Sequence, residues 1–147
     1  MEEILVSVMV PAYNSAHFIR QALGSALAQE VPMEILVIDD CSQDNLPEVI
    51  EEYRQYPQVR YFRNERNLGV AETRNRGVAM AAGAYIAFLD ADDAWEKGKL
   101  KKQLALIQEK GTVICSTARE LMTPDGTLTG YVIPVKTEYT FRSILMG

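Results

Sequence analysis

The chain has 147 residues, 48% of them apolar, which suits one domain with a sizeable core. Its net charge of −5 argues against a nucleic acid partner, because nucleic acids bind to basic surfaces. His17 is the only histidine, which excludes a His-rich zinc site and any mechanism that needs two histidines. No apolar run reaches the roughly 20 residues of a membrane span, and the first residues are acidic, unlike a signal peptide. With Cys41 and Cys115 far apart, we expect a cytoplasmic protein with free thiols and no membrane span.

Short apolar runs rich in β-branched residues recur along the chain and predict strands. The first run stops at Pro11, so the first strand is expected to end at Val10. A turn at 124–126 is expected to join two antiparallel strands. The predicted strands cover 4–10, 34–39, 59–62, 85–89, 112–115, 118–123 and 127–133.

Amphipathic stretches between these runs predict helices. Asn14 or Ser15 is expected to cap the first helix, which carries apolar residues at helical spacing from Ile19 to Leu27. The third helix has an alanine-rich face and a polar face, and Gly83 is expected to end it. The later predicted helices begin at 44–47, cover 70–82, cover 97–109 and begin again at 140.

The alternation of strands and helices, with strands apolar throughout, predicts an α/β fold. We expect a Rossmann-like, mostly parallel sheet with helices on both faces. In such sheets ligands bind at the carboxyl ends of the strands. The residues that follow the strands are therefore the candidates for chemistry.

Acidic residues lie at the carboxyl ends of two of these strands, at Asp39-Asp40 and at Asp90-Ala91-Asp92-Asp93. Like charges in a cluster repel, and a divalent cation would resolve the conflict. Carboxylates without histidine or cysteine favour Mg²⁺ or Mn²⁺, which complete their coordination with substrate phosphates. The pattern therefore predicts a metal-bridged diphosphate. The alternative is that these residues only end strands and cap the following helix.

Three further residues near the same edge each have two possible roles. Tyr13 is either a core aromatic or a ring that stacks on a nucleobase. Arg74 lies either on a solvated helix face or against a base, ribose or phosphate. Cys41 is interpreted as a small filler rather than a nucleophile, because no base or cation adjoins it in sequence.

Four segments together closely resemble the family 2 glycosyltransferases, which have the GT-A fold and mostly invert the anomeric centre. The likeness covers about Ser7 to Leu106 and is weaker toward the end of the chain. Four motifs in the right order and spacing make this resemblance specific. The segments are 6–14 (VSVMVPAYN), 37–42 (VIDDCS), Asn67-Leu68-Gly69 with Arg74, Asn75 and Gly77, and 88–93 (FLDADD).

The resemblance implies a nucleotide-binding role for several of these residues. Pro11 and Tyr13 would line the base pocket, with Tyr13 stacked on the ring, and Asn14 would support that loop. Asp40 would accept a hydrogen bond from the base imide. Arg74 would help to hold the nucleotide.

The resemblance also assigns the Asp-x-Asp motif to Asp90 and Asp92. Asp92 is expected to bind the metal directly, and Asp90 to reach the ribose or the metal through water. Family members usually have well over 200 residues, and their acceptor half carries the catalytic base. We therefore expect residues 1–147 to form one incomplete domain, truncated on the C-terminal side, with the base beyond Gly147.

The implied activity is metal-dependent transfer, with inversion, of a sugar from a UDP-sugar or a related donor to an acceptor hydroxyl. The implied acceptor is a glycan or a lipid-linked sugar of polysaccharide biosynthesis, at the inner face of the membrane. An exposed sheet edge would favour a homo-oligomer. The alternatives are a non-catalytic nucleotide-binding module, a plain flavodoxin-like domain, and a nucleotidyltransferase. The last is disfavoured because residues 11–15 (PAYNS) are not a glycine-rich, basic phosphate loop.

Overall fold

A computed structural model of the chain describes residues 3–135. The chain divides into two compact units, Met1–Lys102 and Gln103–Gly147. Helix α4 (Lys99–Lys110) contains the boundary between them. Among residues 3–135, no helix is long and apolar enough to cross a membrane. The expectation of one incomplete domain over 1–147 stays a prediction.

The first unit is built on a four-stranded parallel sheet in the order β3-β2-β1-β4. The register places Ala12 of β1 beside Asp39 of β2, and Met9 of β1 beside Phe88 of β4. The carboxyl ends of the three strands therefore lie along one edge of the sheet. The strands are β1 (Val6–Ala12), β2 (Met33–Asp39), β3 (Val59–Arg63) and β4 (Tyr85–Phe88).

Three helices connect these strands, and they cover both faces of the sheet. The crossovers of parallel sheets are right-handed. In the order β3-β2-β1-β4, the chain moves one way from β1 to β3 and then back to β4, which puts α1 and α2 on one face and α3 on the other. The predicted Rossmann-like α/β fold is confirmed. The helices are α1 (Ile19–Leu27), α2 (Leu46–Glu51) and α3 (Val70–Met80).

The core lies on both sides of β1 and β2, whose seven residues each are almost all buried. Met9, Leu36 and Ile38 form a cluster on one face, against which Met80 of α3 packs. Helix α3 comes close because Gly77 faces this cluster, and a Cβ there would lie 1.9 Å from the Met9 sulfur. Thr73 and Gly77 are the buried positions of α3, so its packing face is not the alanine-rich face of the sequence pattern.

Strand β1 continues past Pro11, so the predicted end at Val10 was wrong. The carbonyl of Met9 accepts from Leu89 N on the β4 side, and the carbonyl of Ala12 accepts from Asp40 N on the β2 side. Backbone groups alternate in direction along a strand, so Pro11 faces the β4 side. Because β4 has already ended there, the missing N–H of Pro11 removes no sheet hydrogen bond.

Two predicted helix ends were also wrong. The residue before α1 is Phe18, which makes no capping bond with its side chain, so neither Asn14 nor Ser15 is the cap. Helix α3 ends at Met80, before Gly83. Gly83 has another reason to be glycine, since a Cβ there would lie 2.6 Å from the backbone nitrogen of Ser7.

A buried carboxylate of β2 is bonded to β1, to β3 and to the segment before β4. Glu34 is 2% exposed and accepts from Ser7 Oγ at 2.7 Å, Ala82 N at 2.7 Å and Arg60 Nη1 at 2.8 Å. Burial alone would raise the pKa of Glu34, but these three donors together outweigh it and lower the pKa. Glu34 therefore remains ionised at neutral pH and links three segments of the chain.

The second unit contains an antiparallel hairpin of β5 (Arg119–Met122) and β6 (Leu128–Ile133). Gly126 N donates to Thr123 O in the turn, which confirms the predicted turn and strand pair. The strand predicted over 112–115 was wrong: these residues are not in a strand, and Val113 is 91% exposed. An apolar run forms a strand only where a neighbouring strand supplies hydrogen bonds. The helix predicted from residue 140 lies outside the described residues.

Candidate nucleotide-binding site

Two loops at the carboxyl edge of the sheet are joined through Asn14. Asn14 adopts a φ of 49°, and its backbone N–H donates to Ser42 Oγ at 3.0 Å. Its side-chain oxygen accepts from Gln43 N at 2.7 Å. Ala16 N donates to Asp44 Oδ2 at 2.9 Å and adds a second link. The loop after β1 is therefore held by the loop after β2, which fixes the position of Tyr13.

The neighbouring residues Asp39 and Asp40 have different partners. Asp39 is fully buried and accepts from Tyr61 OH at 2.6 Å and Ser42 N at 2.8 Å, with Arg63 Nη1 at 3.3 Å. Burial first, and then the bond to Asp39, raise the pKa of Tyr61, so its hydroxyl remains a donor. Asp39 is bound within the protein and lines neither of the two clefts described below.

The carboxylate of Asp40 organises the segment before α3. It accepts from Asn64 Nδ2, Leu68 N and Gly69 N, each at 2.8 Å. Burial alone would raise the pKa of Asp40, but these donors outweigh it and lower the pKa. Gly69 has a φ of 84°, which a residue with a side chain adopts at a cost. Asp40 is therefore an ionised, buried acceptor at neutral pH.

A first cleft of about 370 Å³ lies above Asp40. Tyr13 is 50% exposed beside it, so the reading of Tyr13 as a core aromatic was wrong. The cleft combines an apolar wall, an exposed aromatic ring and one buried acceptor, which suits a flat heterocycle. Its lining residues are Pro11, Ala12, Tyr13, Asp40, Asn67, Gly69, Val70 and Thr73.

A second cleft of about 280 Å³ shares Pro11, Tyr13 and Val70 with the first and is more polar. Within it, Arg74 Nη2 pairs with Asp90 Oδ1 at 2.5 Å. The guanidinium also lies 5.9 Å from the ring centre of Phe88. Its lining residues are Pro11, Tyr13, Asn14, Ser15, Phe18, Val70, Arg74, Asp90, Ala91 and Asp92.

The Asp90–Asp93 segment does not cap the next helix. Helix α4 begins at Lys99, and Lys99 N donates to Glu96 O. The helix-cap alternative was therefore wrong. Asp92 is exposed, and the side chain of Asp90 is 46% exposed. Both carboxylates belong to the second cleft, as the position of this motif after β4 predicts.

These two carboxylates are the candidate metal ligands. Within residues 3–135, no group of three or more His, Cys, Asp or Glu side chains could hold a metal ion by itself. Mg²⁺ commonly uses one or two protein carboxylates and takes its other ligands from water and phosphate. Asp90 and Asp92 therefore fit a cation that arrives with, or is completed by, a diphosphate.

All six residues predicted to bind nucleotide, and both predicted metal ligands, line one of the two clefts. The sequence reading missed Thr73, a fully buried residue that lines the first cleft, and Ser15, which lines the second. Thr73 stands four residues before Gly77 and so on the same side of the helix, a spacing that marks the packing face. Both cysteines are free thiols, as expected.

The sequence model of the glycosyl transferase family 2 matches residues 7–142. The chain therefore belongs to this family. It is 38% identical over 125 residues to TuaG of Bacillus subtilis (strain 168), a glycosyltransferase named for teichuronic acid biosynthesis, with 84% of this chain and 50% of TuaG covered. It is 32% identical over 140 residues to WfgD of Escherichia coli, a UDP-Glc:α-D-GlcNAc-diphosphoundecaprenol β-1,3-glucosyltransferase, with 95% and 55% covered.

The fold is similar to that of a solved protein, S. aureus TarS. The crystal structure of S. aureus TarS 1–349 in complex with UDP-GlcNAc has a TM-score of 0.68 and 30% identity to this chain. The match covers 81% of this chain and 40% of the TarS chain. The chain thus spans about half the length of TuaG and WfgD, and less than half of this TarS chain.

Proposed function

We propose that this chain carries the donor site of a glycosyltransferase, in which a nucleoside diphosphate sugar occupies the two adjoining clefts. The observation that carries the proposal is that the two clefts share a wall at Tyr13. The first cleft contains a buried acceptor, Asp40, and the second contains Arg74 and the carboxylates of Asp90 and Asp92. One side suits a base and the other suits phosphates.

The first cleft would hold the base, with Tyr13 stacked on the ring. A uracil imide has one N–H between two carbonyl groups, and Asp40 is an ionised acceptor that can receive it. The loop 67–69 is held by that same carboxylate, so the pocket is preorganised before a ligand arrives. The ligands named for WfgD and TarS are UDP-sugars, which supports UDP as the nucleotide.

The second cleft would hold the diphosphate. Arg74 offers planar donors that match phosphate oxygens. Asp90 and Asp92 would hold a Mg²⁺ or Mn²⁺ ion, which supplies positive charge that stabilises the leaving diphosphate. Arg74 already pairs with Asp90, so its guanidinium lies next to one of the proposed metal ligands before the donor binds.

The proposed reaction is a single displacement with inversion. The acceptor oxygen forms a bond to the anomeric carbon, the bond from that carbon to the diphosphate breaks, and a base takes the acceptor proton. We place that base beyond Gly147. We do not propose Asp125 as the base, because it lies in the turn of the β5–β6 hairpin, where its carboxylate accepts from Thr127 N at 3.2 Å.

The acceptor is proposed to be a glycan or lipid-linked sugar of a cell-surface polysaccharide, made at the inner face of the membrane. The names of TuaG and WfgD, which refer to teichuronic acid and to a diphosphoundecaprenol sugar, support this class of acceptor. The segment beyond residue 147 would supply most contacts to the acceptor. Transfer from UDP-sugar by a longer chain, compared with residues 1–147 alone, separates this proposal from a purely nucleotide-binding module.

The donor site can be tested by calorimetric titration of UDP into the chain, with and without Mn²⁺ or Mg²⁺. Binding should depend on the metal and should weaken at least tenfold in Asp92→Asn, because the variant loses a charged ligand at an exposed position. The matched control Glu48→Gln removes one negative charge from the exposed side of α2 and should bind UDP as the parent does. Cooperatively folded protein that binds no UDP, GDP or dTDP with either ion would overturn the proposal.

A further inference from the structure

Two buried side-chain atoms in residues 3–135 have no hydrogen-bond partner in the protein, and both belong to residues of the second cleft. They are Oγ of Ser15 and Nε of Arg74. Ser15 is only 6% exposed, so its hydroxyl has little access to solvent. A buried polar group without a partner is unfavourable, and proteins satisfy most such groups. Two of them in a single cleft indicate a ligand that satisfies both.

The hydroxyl of Ser15 does not cap helix α1, although capping is the usual structural role of a serine ahead of a helix. A serine ahead of a helix usually accepts a hydrogen bond from a backbone N–H of the first turn. Here α1 has no side-chain cap, and the backbone carbonyl of Ser15, not its hydroxyl, accepts from Phe18 N and Ile19 N at 2.9 Å. These backbone bonds hold Ser15 in place and leave its hydroxyl unused.

The chemistry of the two atoms defines the group that they would bind. Nε of an arginine only donates, whereas a serine hydroxyl donates or accepts. A ligand that satisfies both atoms must therefore present acceptor oxygens. Ser15 and Arg74 line the second cleft but not the first. The acceptor oxygens therefore belong to the part of the ligand that lies in the second cleft.

We propose that Ser15 is a further donor-binding residue, whose hydroxyl donates a hydrogen bond to a phosphate oxygen of the nucleoside diphosphate beside Nε of Arg74. This inference rests on the proposed function, because it needs a diphosphate in the second cleft. In this proposal Ser15 contacts the phosphates and not the base.

The test compares Ser15→Ala with the parent chain, using UDP and uridine as ligands in the presence of Mg²⁺. UDP binding is measured by calorimetry and uridine binding by chemical-shift titration. We expect UDP to bind about tenfold more weakly, which corresponds to one hydrogen bond to a charged acceptor of about 1.4 kcal/mol. Uridine, which has no phosphate, should bind as tightly as before. The melting temperature without ligand should stay the same or rise, because the substitution removes a buried hydroxyl that has no partner.

Ser25→Ala is the matched control, because the Ser25 hydroxyl is fully used. It donates to Ala22 O at 2.8 Å and accepts from Trp95 N at 3.0 Å. Ser25 lines neither cleft. This control should lower the melting temperature and leave UDP affinity unchanged, the opposite of the pattern expected for Ser15→Ala.

The outcomes separate the two proposals. If the folded parent chain binds neither UDP nor uridine, the proposed function fails and this inference fails with it. If the parent binds UDP and Ser15→Ala binds it within twofold, the donor site stands and the role of Ser15 is overturned. An equal loss of uridine and UDP affinity would also overturn it, because the hydroxyl would then act on the base or ribose. A fall in melting temperature as large as that of Ser25→Ala would show that the hydroxyl has a structural partner.

Discussion

Replacement of Asp40 by asparagine tests the central acceptor of the site. In the parent, Oδ1 accepts from Asn64 Nδ2 and Leu68 N, and Oδ2 accepts from Gly69 N. An asparagine keeps one oxygen and replaces the other with a donor, so in its best orientation the NH₂ group faces Gly69 N. The charge-assisted bond to Gly69 N is lost, and that N–H keeps only its longer bond to Asn67 Oδ1, at 3.2 Å. The remaining bonds to Asn64 Nδ2 and Leu68 N lose the negative charge of their acceptor. We expect a loss of about 2–3 kcal/mol, a large share of a typical stability of 5–15 kcal/mol.

The assay is equilibrium unfolding in urea, followed by the fluorescence of Trp95, the single tryptophan of the chain. Trp95 lies in the first unit, as Asp40 does. At pH 7 the unfolding midpoint should fall at an unchanged slope. Asp92→Asn is the control: its carboxylate is exposed, so stability should change by less than about 0.5 kcal/mol.

The pH dependence of this difference has a definite sign. Because the pKa of Asp40 is lower in the folded state, its contribution is complete above the unfolded-state pKa of about 3.9. It is then lost as the pH falls through the lower folded-state value. The stability difference between the parent and Asp40→Asn should therefore begin to shrink as the pH falls below about 4. A difference under 0.5 kcal/mol at pH 7, or one that grows as the pH falls, would refute the reasoning.

Three further substitutions test the fold around the site. Gly83→Ala should lower stability by several kcal/mol or prevent folding, because the new Cβ would lie 2.6 Å from the Ser7 backbone nitrogen. Gly24→Ala is the control within helix α1: its Cβ would meet nothing within 4 Å, so stability should rise by about 0.5–1 kcal/mol, and thermal melts measure both changes. Cys41→Gly should stabilise the protein by about 1 kcal/mol, since Cys41 has a φ of 64°, and an unchanged or lower urea midpoint would contradict this. Glu34→Gln should destabilise the protein at pH 7. Because folding lowers the pKa of Glu34, the loss should shrink as the pH falls below the unfolded-state pKa of about 4.3, and a loss that grows as the pH falls would argue against an ionised Glu34.

The apolar runs and their order were enough to predict the parallel sheet and the residues along its edge. Both faces of β1 and β2 are buried, so these strands must be apolar throughout, and such runs are typical of a parallel sheet. The end of β1 could not be predicted in this way. Whether Pro11 is tolerated depends on which neighbouring strand it faces and where that strand stops. Such pairing is a property of the assembled sheet and is not encoded in a local window of residues.

The fates of Asp39 and Asp40 follow from alternation along a strand, which the sequence reading did not use. Neighbouring side chains of a strand point to opposite faces. One carboxylate therefore meets Tyr61, and the other meets Asn64 and the backbone of 68–69. The unused hydroxyl of Ser15 is a different case, because a missing hydrogen-bond partner becomes visible only when every neighbouring atom has a position.

The strand order has a consequence for the nascent chain. Strand β1 pairs with β2 early in the sequence and with β4 late, and every residue that lines the first cleft precedes Gly77. The second cleft also needs residues 90–92, which follow β4. During synthesis from the N-terminus, the pocket above Asp40 can therefore close on a chain that ends near Met80, whereas its neighbour must wait until β4 has docked on β1.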